Sequence, residues 1–399
     1  MINEKNISFG RILIIEILLA CSYVFFTASW MAGSLMTGTI VAEFGLTGIP
    51  ASINNAISIA KIIGNFVAAG IMMKLKPKNS VIFSILLVCC VVIGAFATNL
   101  PMFIISRFIM GFGGALLLVN MSPYVMKFFT PNQRPVVAAI NMVVACIGNV
   151  VALITVNPLT EALGSWRKTI LFYGMCSIVM LVLWIILGKD FEMAPKQKAD
   201  GNEKTYTYGN ALKEPFVYVY ALSYIGLFMV YIFINYLFPL NPNFTVSART
   251  ATLIAGFGGI LSVPVGIIIN KKLPKGKKMN LVKLNGVMVT VTMVVLCFTK
   301  SAILAQVAAF FAGFSCYLST PVWNTLPMSR INADPASVGI VNSVYWSLVY
   351  IMQIIIYTGL TKLVTTVSWQ SSLYVVTGLS VTYLIGSFVI GNFVDKEKI

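Results

Sequence analysis

The sequence contains no histidine, and acids are scarce, with twelve Asp and Glu in 399 residues. Zinc sites, Ser-His-Asp triads and Cys-His nucleophile pairs all need imidazole or clustered thiolates, so this inventory argues against most hydrolytic and metal chemistry. Cysteine does not fill the gap. The seven cysteines (Cys21, Cys89, Cys90, Cys146, Cys176, Cys297 and Cys316) lie inside apolar stretches, and no Cys-x-x-Cys motif occurs. They read as small apolar side chains rather than a disulfide framework. No G-x-x-x-x-G-K-[ST] loop exists, which removes ATP hydrolysis by that route. Charge of either sign is thin, at 10% of residues against about 25% in soluble domains.

What is present is apolar: 58% of residues, gathered into continuous runs. One spanning helix needs roughly 20 apolar residues, and a membrane β-barrel would alternate instead. Runs fall at roughly 11–37, 48–73, 80–97, 101–128, 135–160, 169–188, 215–240, 247–269, 280–298, 301–328, 336–362 and 369–392. The expected fold class is an all-α membrane protein of twelve transmembrane helices in two pseudo-symmetric six-helix bundles. The first run is too long for a signal-peptide core and is kept as a mature helix. The one long polar stretch, 189–214, reads as a linker between an N-terminal half, 1–188, and a C-terminal half, 215–399.

Of 28 Lys and Arg, an N-terminus-inside arrangement puts 21 in cytoplasmic segments and five, Arg167, Lys168, Arg249, Lys300 and Lys362, in outer loops. The cytoplasmic set includes Lys74, Lys76 and Lys78 and the run Lys271, Lys272, Lys275, Lys277 and Lys278. This positive-inside bias predicts both termini in the cytoplasm and a multi-pass protein of the plasma membrane. It also assigns the net charge of +16 to anionic lipid headgroups rather than to nucleic acid.

The halves repeat weakly. Gly70-Ile-Met-Met-Lys74 in the second run is matched by Gly266-Ile-Ile-Ile-Asn270 in the eighth, Gly111-Phe112 by Gly313-Phe314, and Val137-Ala-Ala-Ile-Asn141 by Val338-Gly-Ile-Val-Asn342. Their common order, about half a chain apart, indicates duplication.

Twelve runs, two halves and a central linker resemble the major facilitator superfamily. Arg107-Phe-Ile-Met-Gly111-Phe-Gly113-Gly114 is similar to its R-x-x-x-G-x-G pattern in helix 4, and Gly164-Ser-Trp166-Arg167 to its G-x-W-R. With Val119-Asn-Met-Ser-Pro123, the fourth run most resembles the cyanate-permease-like branch. Two departures stand out. Lys74 occupies the acid position of the G-x-x-x-D loop motif, and the segment from Gly148, Gly-Asn-Val-Val-Ala, lacks the helix-5 pattern of drug–proton antiporters. The resemblance implies a substrate cavity at mid-membrane lined mainly by helices 1, 4, 7 and 10.

Polar and aromatic residues recur at helical spacing on such helices. The expected substrate-binding set is Tyr23, Thr27 and Trp30 in the first run, Asn120 and Tyr124 in the fourth, Tyr231 and Asn235 in the seventh, Ser319 and Trp323 in the tenth, and Asn342, Trp346 and Tyr350 in the eleventh. The competing reading is that such groups glue helices together or anchor them at the interface. Lys61 carries more information, because an ammonium near the middle of a spanning helix is expensive and too deep to snorkel. It is expected to bind a substrate anion; the bland alternative is a lysine facing water or carbonyls. Nitrate/nitrite porters of the superfamily pair such a group with one on helix 8, where this chain has Phe257. Glu16, Arg107 and Lys127 are the coupling or gating candidates. Glu16, the one acid well inside a run, is suited to carry a coupling proton or to pair with Lys127; the family pattern has Arg107 hold helix-1 carbonyls.

The expected activity is secondary transport of a small organic or inorganic anion by alternating access, with a proton or ion as possible co-substrate. The alternative is export or facilitated passage of a neutral or weakly aromatic metabolite or drug. A monomer without cofactor is expected. An intramembrane enzyme lacks an acid–base constellation, and a channel is disfavoured by the duplication.

Overall fold

The structure, a computed structural model, describes residues 8–130, 133–191, 206–274, 276–330 and 335–395. Residues 192–205 of the expected linker, Lys275 of the basic run and the C-terminal 396–399 lie outside the described residues.

Among the described residues, twelve long helical segments follow the twelve apolar runs in order. They are α1 (Phe9–Leu35), α2 (Ser52–Leu75), α3 (Pro77–Ala95), α4 (Leu100–Phe128), α5 (Arg134–Leu163), α6 (Trp166–Leu187), α7 (Pro215–Ile232), α8 (Ala248–Lys272), α9 (Met279–Phe298), α10 (Ala302–Leu318), α11 (Pro335–Thr366) and α12 (Trp369–Val389). Eleven are long and apolar enough to cross a membrane. The twelfth, α2, has 24 residues and is about 36 Å long at 1.5 Å per residue. A helix is the natural answer to such runs, because hydrocarbon offers no partner to the backbone and the helix satisfies it internally.

Polar residues punctuate the runs. Asn99 caps α4 by accepting from the Met102 amide at 2.9 Å. Ser165, Ser301 and Ser368 cap α6, α10 and α12 in the same way. Gly164 closes α5 at φ 72°, in the left-handed region that glycine enters at least cost. Its neighbour Ser165 immediately starts α6, so α5 and α6 form a tight hairpin.

The chain folds as two compact units: 1–45 with 63–194, and 46–62 with 195–399. Thus α2 gives its first half to the second unit and its remainder to the first. In the first unit α1 packs on α5 and α6, and α3 on α4 and α6. In the second, α7 packs on α11 and α12, and α9 on α10 and α12, which is the same pattern six helices later. Glycines set the closest approaches: a Cβ at Gly64 would lie 2.6 Å from that of Ala115, and one at Gly258 would strike the Phe310 carbonyl. Both glycines lie on α2 and α8, the helices that the duplication relates, but not at matched positions, since the repeat sets Gly64 against Ile260.

The end of α7 departs from α geometry. Residues Phe233–Leu237 form a π turn and Phe238–Leu240 a 3₁₀ turn containing Pro239. The Thr252 hydroxyl of α8 donates to the loosened Ile234 carbonyl at 3.0 Å. The Asn235 amide donates to the Tyr231 carbonyl at 2.9 Å. Such π turns often mark functional positions in helices.

Candidate functional site

In the first unit, the guanidinium of Arg107 lies 1% exposed against α1. It donates to the Trp30 carbonyl at 3.0 Å, and to the Ser29 carbonyl and Ser34 hydroxyl at 3.4 Å each. Gly33 makes the room: a Cβ there would collide with the guanidinium. Glu16 on the same helix is buried and accepts from the Asn141 amide of α5 at 2.7 Å. Lys127 is exposed in the last turn of α4.

The remaining first-unit candidates are held by neighbours. The Thr27 hydroxyl bonds to the carbonyls of Tyr23 and Val24 on its own helix, at 3.1 Å each. Tyr23, Phe26 and Trp30 form a ring ladder along α1 with centroids 5.3 and 6.1 Å apart. Asn120 is fully buried between α3 and α4, accepting from Ser80 and donating to Ser84 at 3.1 Å each. The Tyr124 hydroxyl donates to the Lys189 carbonyl at 2.9 Å, and its ring meets Trp184 and Phe191 edge-on.

The Gly-x-Trp-Arg motif acts locally. Arg167 donates to Glu43 at 2.9 Å and to the carbonyls of Ala95 and Ala97 at 3.0 and 2.6 Å, while its guanidinium lies 4.5 Å from the centre of the Trp166 ring. The Trp166 indole donates to the same carboxylate. One pair of motif residues therefore ties the short helix Thr37–Glu43 to the ends of α3 and α6. The hydrogen bonds from Trp166 and Arg167 hold the Glu43 carboxyl below its ordinary range.

The second unit contains a continuous aromatic cluster. Tyr220, Tyr224 and Phe228 follow one face of α7, one turn apart. Trp323 stacks on Tyr220 at 5.0 Å and on Tyr224 at 5.6 Å. Tyr345 lies 4.1 Å from Tyr220, and Trp346 meets Tyr224 and Phe228 edge-on at 5.7 and 5.9 Å. Tyr350 continues the series, 5.8 Å from Trp346 and 5.5 Å from Phe228. Tyr231 extends it to Tyr317 and Tyr236 at 6.0 and 6.2 Å. Hydroxyls and amides stitch the rim. Ser319 bonds to Tyr383 at 2.6 Å and accepts from Asn285 at 2.9 Å, and the Trp323 indole donates to Tyr345 at 3.4 Å. Asn342 lies half-buried on α11, one turn before Tyr345 and Trp346.

Lys61 joins this cluster from α2. Its side chain is 6% exposed, and its ammonium sits 5.7 Å from the centre of the Tyr350 ring. A cation desolvated against an aromatic face gains about 2 kcal/mol. Its sequence mirror, Phe257, is exposed on α8, so the duplication does not extend to this chemistry. Of the expected site residues, the structure thus brings together Lys61, Tyr350, Trp346, Tyr231 and Trp323. Ser319 joins them at the rim through Tyr383, whose ring lies 5.1 Å from Trp323. Tyr220, Tyr345 and Tyr383 were not singled out by the sequence reading, although Tyr220 lies one turn before Tyr224 and three turns before Tyr231 on the same helix. Among the described residues no group of His, Cys, Asp and Glu is placed to hold a metal.

A duplicated array of membrane-length helices, with buried polar groups on interior faces, defines a multi-pass helical transport protein. The chain belongs to the Major Facilitator Superfamily, whose sequence profile matches residues 18–357. That family consists of transporters rather than enzymes. The chain is similar to an uncharacterised protein of Campylobacter jejuni, 26% identical over 243 residues, covering 60% of this chain and 74% of that one. It is also similar to an uncharacterised protein of Mesomycoplasma hyopneumoniae, 23% identical over 227 residues, covering 51% of this chain and 46% of that one. Among solved structures it has the fold of a D-xylose–proton symporter, with TM-score 0.71 and 15% identity over 97% of this chain and 98% of that one. It likewise has the fold of the human organic anion transporter MFSD10 (TETRAN), with TM-score 0.70 and 10% identity over 95% and 99%.

Proposed function

We propose that the chain is a secondary transporter that moves a small organic or inorganic anion by alternating access. The observation that carries this reading is Lys61, an ammonium buried in a spanning helix and seated on Tyr350 at the end of the aromatic cluster. Such a charge is costly in hydrocarbon, and a bound anion offsets that cost. The segment Val119–Pro123 supports placement in the cyanate-permease-like branch of the superfamily. The charge bias supports a plasma-membrane protein with both termini in the cytoplasm. A second reading, passage of a neutral or weakly aromatic solute, draws on the ring cluster itself, since stacked faces hold planar ligands without charge.

The two readings part at Lys61→Gln. If the substrate is an anion, the substitution removes a charge-assisted hydrogen bond of about 1.5–3 kcal/mol, which is a loss of roughly tenfold to a hundredfold in affinity. Lys61→Arg retains part of the affinity, because charge remains while geometry changes. A titration on purified protein, with folding checked by melting temperature, reads the difference. Equal affinity in wild type and Lys61→Gln transfers the site to a neutral solute.

A further inference from the structure

The first half of α2 runs antiparallel to α11 inside the second unit. The Asn54 amide donates to the Tyr357 hydroxyl at 2.7 Å, and the Asn55 amide to the Thr358 hydroxyl at 2.8 Å. Two turns further along α2, Lys61 meets Tyr350, two turns back along α11. In that register the residue opposite Ser58 is Gln353. Ser58 is 0% and Gln353 1% exposed. Neither the Ser58 hydroxyl nor the Gln353 carbonyl oxygen has a hydrogen-bond partner among the described residues, and the carbonyl oxygen of Asn55 is in the same position. Three buried oxygens without partners on two facing helix surfaces are unusual, since each forgoes about 1–3 kcal/mol of hydrogen bonding. They lie within one or two helical turns of the Lys61–Tyr350 contact, and one turn is 5.4 Å.

We propose that this seam is a second subsite for the transported anion, selecting a solute that carries hydroxyl or amide hydrogen-bond donors about one helical turn from its anionic group. This rests on the anion reading of Lys61 and adds to it. Lys61 takes the negative end, and the oxygens of Gln353, Ser58 and Asn55 accept from donors further along the molecule. The substrate class is a polyhydroxylated or amide-bearing carboxylate of several carbons, rather than a bare inorganic anion. Because the oxygens are buried, the donors reach them only when the first half of α2 lifts from α11 within the second unit. A site that leaves polar groups unpaired without its ligand discriminates strongly against analogues lacking the donors.

Three probes separate the contributions: gluconate (anion with donors), hexanoate (anion without) and sorbitol (donors without charge). Binding is followed by melting-temperature shift and calorimetric titration on purified full-length protein. Gluconate is expected to bind more tightly than either of the others. Gln353→Leu and Ser58→Ala should each weaken gluconate by roughly threefold to tenfold, leave hexanoate unchanged, and preserve or raise the melting temperature of the ligand-free protein, since an orphaned buried oxygen is lost. A structural glutamine would instead lower that melting temperature. Gluconate and hexanoate binding equally, both through Lys61 and neither through Gln353, overturns the seam and leaves the anion reading standing. Gluconate and sorbitol binding alike, through Gln353 and not Lys61, overturns the anion reading and leaves a donor-recognising seam. No binding of any of the three overturns both.

Discussion

Arg107 illustrates how one residue joins two helices. Its guanidinium takes two carbonyls and a hydroxyl from α1, and Gly33 leaves the space it fills. Hydrogen bonds to a charged group contribute about 1.5–3 kcal/mol each at most, and the α1 carbonyls keep their own helix bonds when the arginine is removed. Arg107→Leu is therefore expected to destabilise the first unit by about 2–3 kcal/mol, seen as a lower melting temperature. Gly33→Ala should lower it as well, because the added methyl displaces the guanidinium from its partners. A wild-type melting temperature for Gly33→Ala would show that Arg107 does not depend on this notch.

At the level of elements, α8 and α10 are joined by reciprocal notches. A Cβ at Gly258 would strike the Phe310 carbonyl, and one at Gly313 the Ala255 carbonyl. Membrane helices attract one another by close packing rather than by water exclusion, so small residues at the contact carry the association. Gly313→Val should destabilise by about 1–3 kcal/mol through overpacking. Gly359→Ala on α11 meets nothing within 4 Å, so it should stabilise by up to about 1 kcal/mol. Urea or thermal unfolding of both variants in detergent measures the contrast, and equal effects would remove the notch from the account.

The helices were legible because a bilayer demands continuous apolar runs, and Arg107 because its motif lies in one such run. Partner choice was not legible. Helical spacing puts Asn120 on a face of α4, but only the packing shows that face turned to Ser80 and Ser84. Likewise nothing local to Ser58 announces Gln353, since their pairing depends on the register between α2 and α11. The π turn after Ile232 also left no apolar signature, although Pro239 and the polar Asn235 are its local marks.

On the scale of the whole molecule, the duplication governs packing but not chemistry. The two units repeat the same helix contacts, while Lys61, the ring cluster and the three oxygens of the α2–α11 seam belong to the second. The proposed site is thus asymmetric within a symmetric frame. The net charge of +16 belongs to this scale too, because in the proposed topology its skew orients the chain rather than recruiting a ligand. A reporter active only outside the cell, fused at the C-terminus, is expected to stay silent, whereas the same reporter inserted near Lys300 should be active. The reverse pattern would invert the proposed orientation.

The ring cluster has an optical consequence. Two of the six tryptophans, Trp323 and Trp346, stand in it, with Tyr224 only 5.6 and 5.7 Å from their rings. At such spacing, excitation absorbed by the tyrosines passes to the indoles before it can be emitted. Trp346 lies 5.8 Å from Tyr350, which carries the Lys61 ammonium on its face. If the proposed solute binds at Lys61, it changes the field and the polarity felt by that indole, and its emission is expected to shift in wavelength or intensity. Trp166 and Trp184 lie in the other unit, each packed against aromatic neighbours of its own. Under the proposed function the protein would carry its own gauge of occupancy, readable without label.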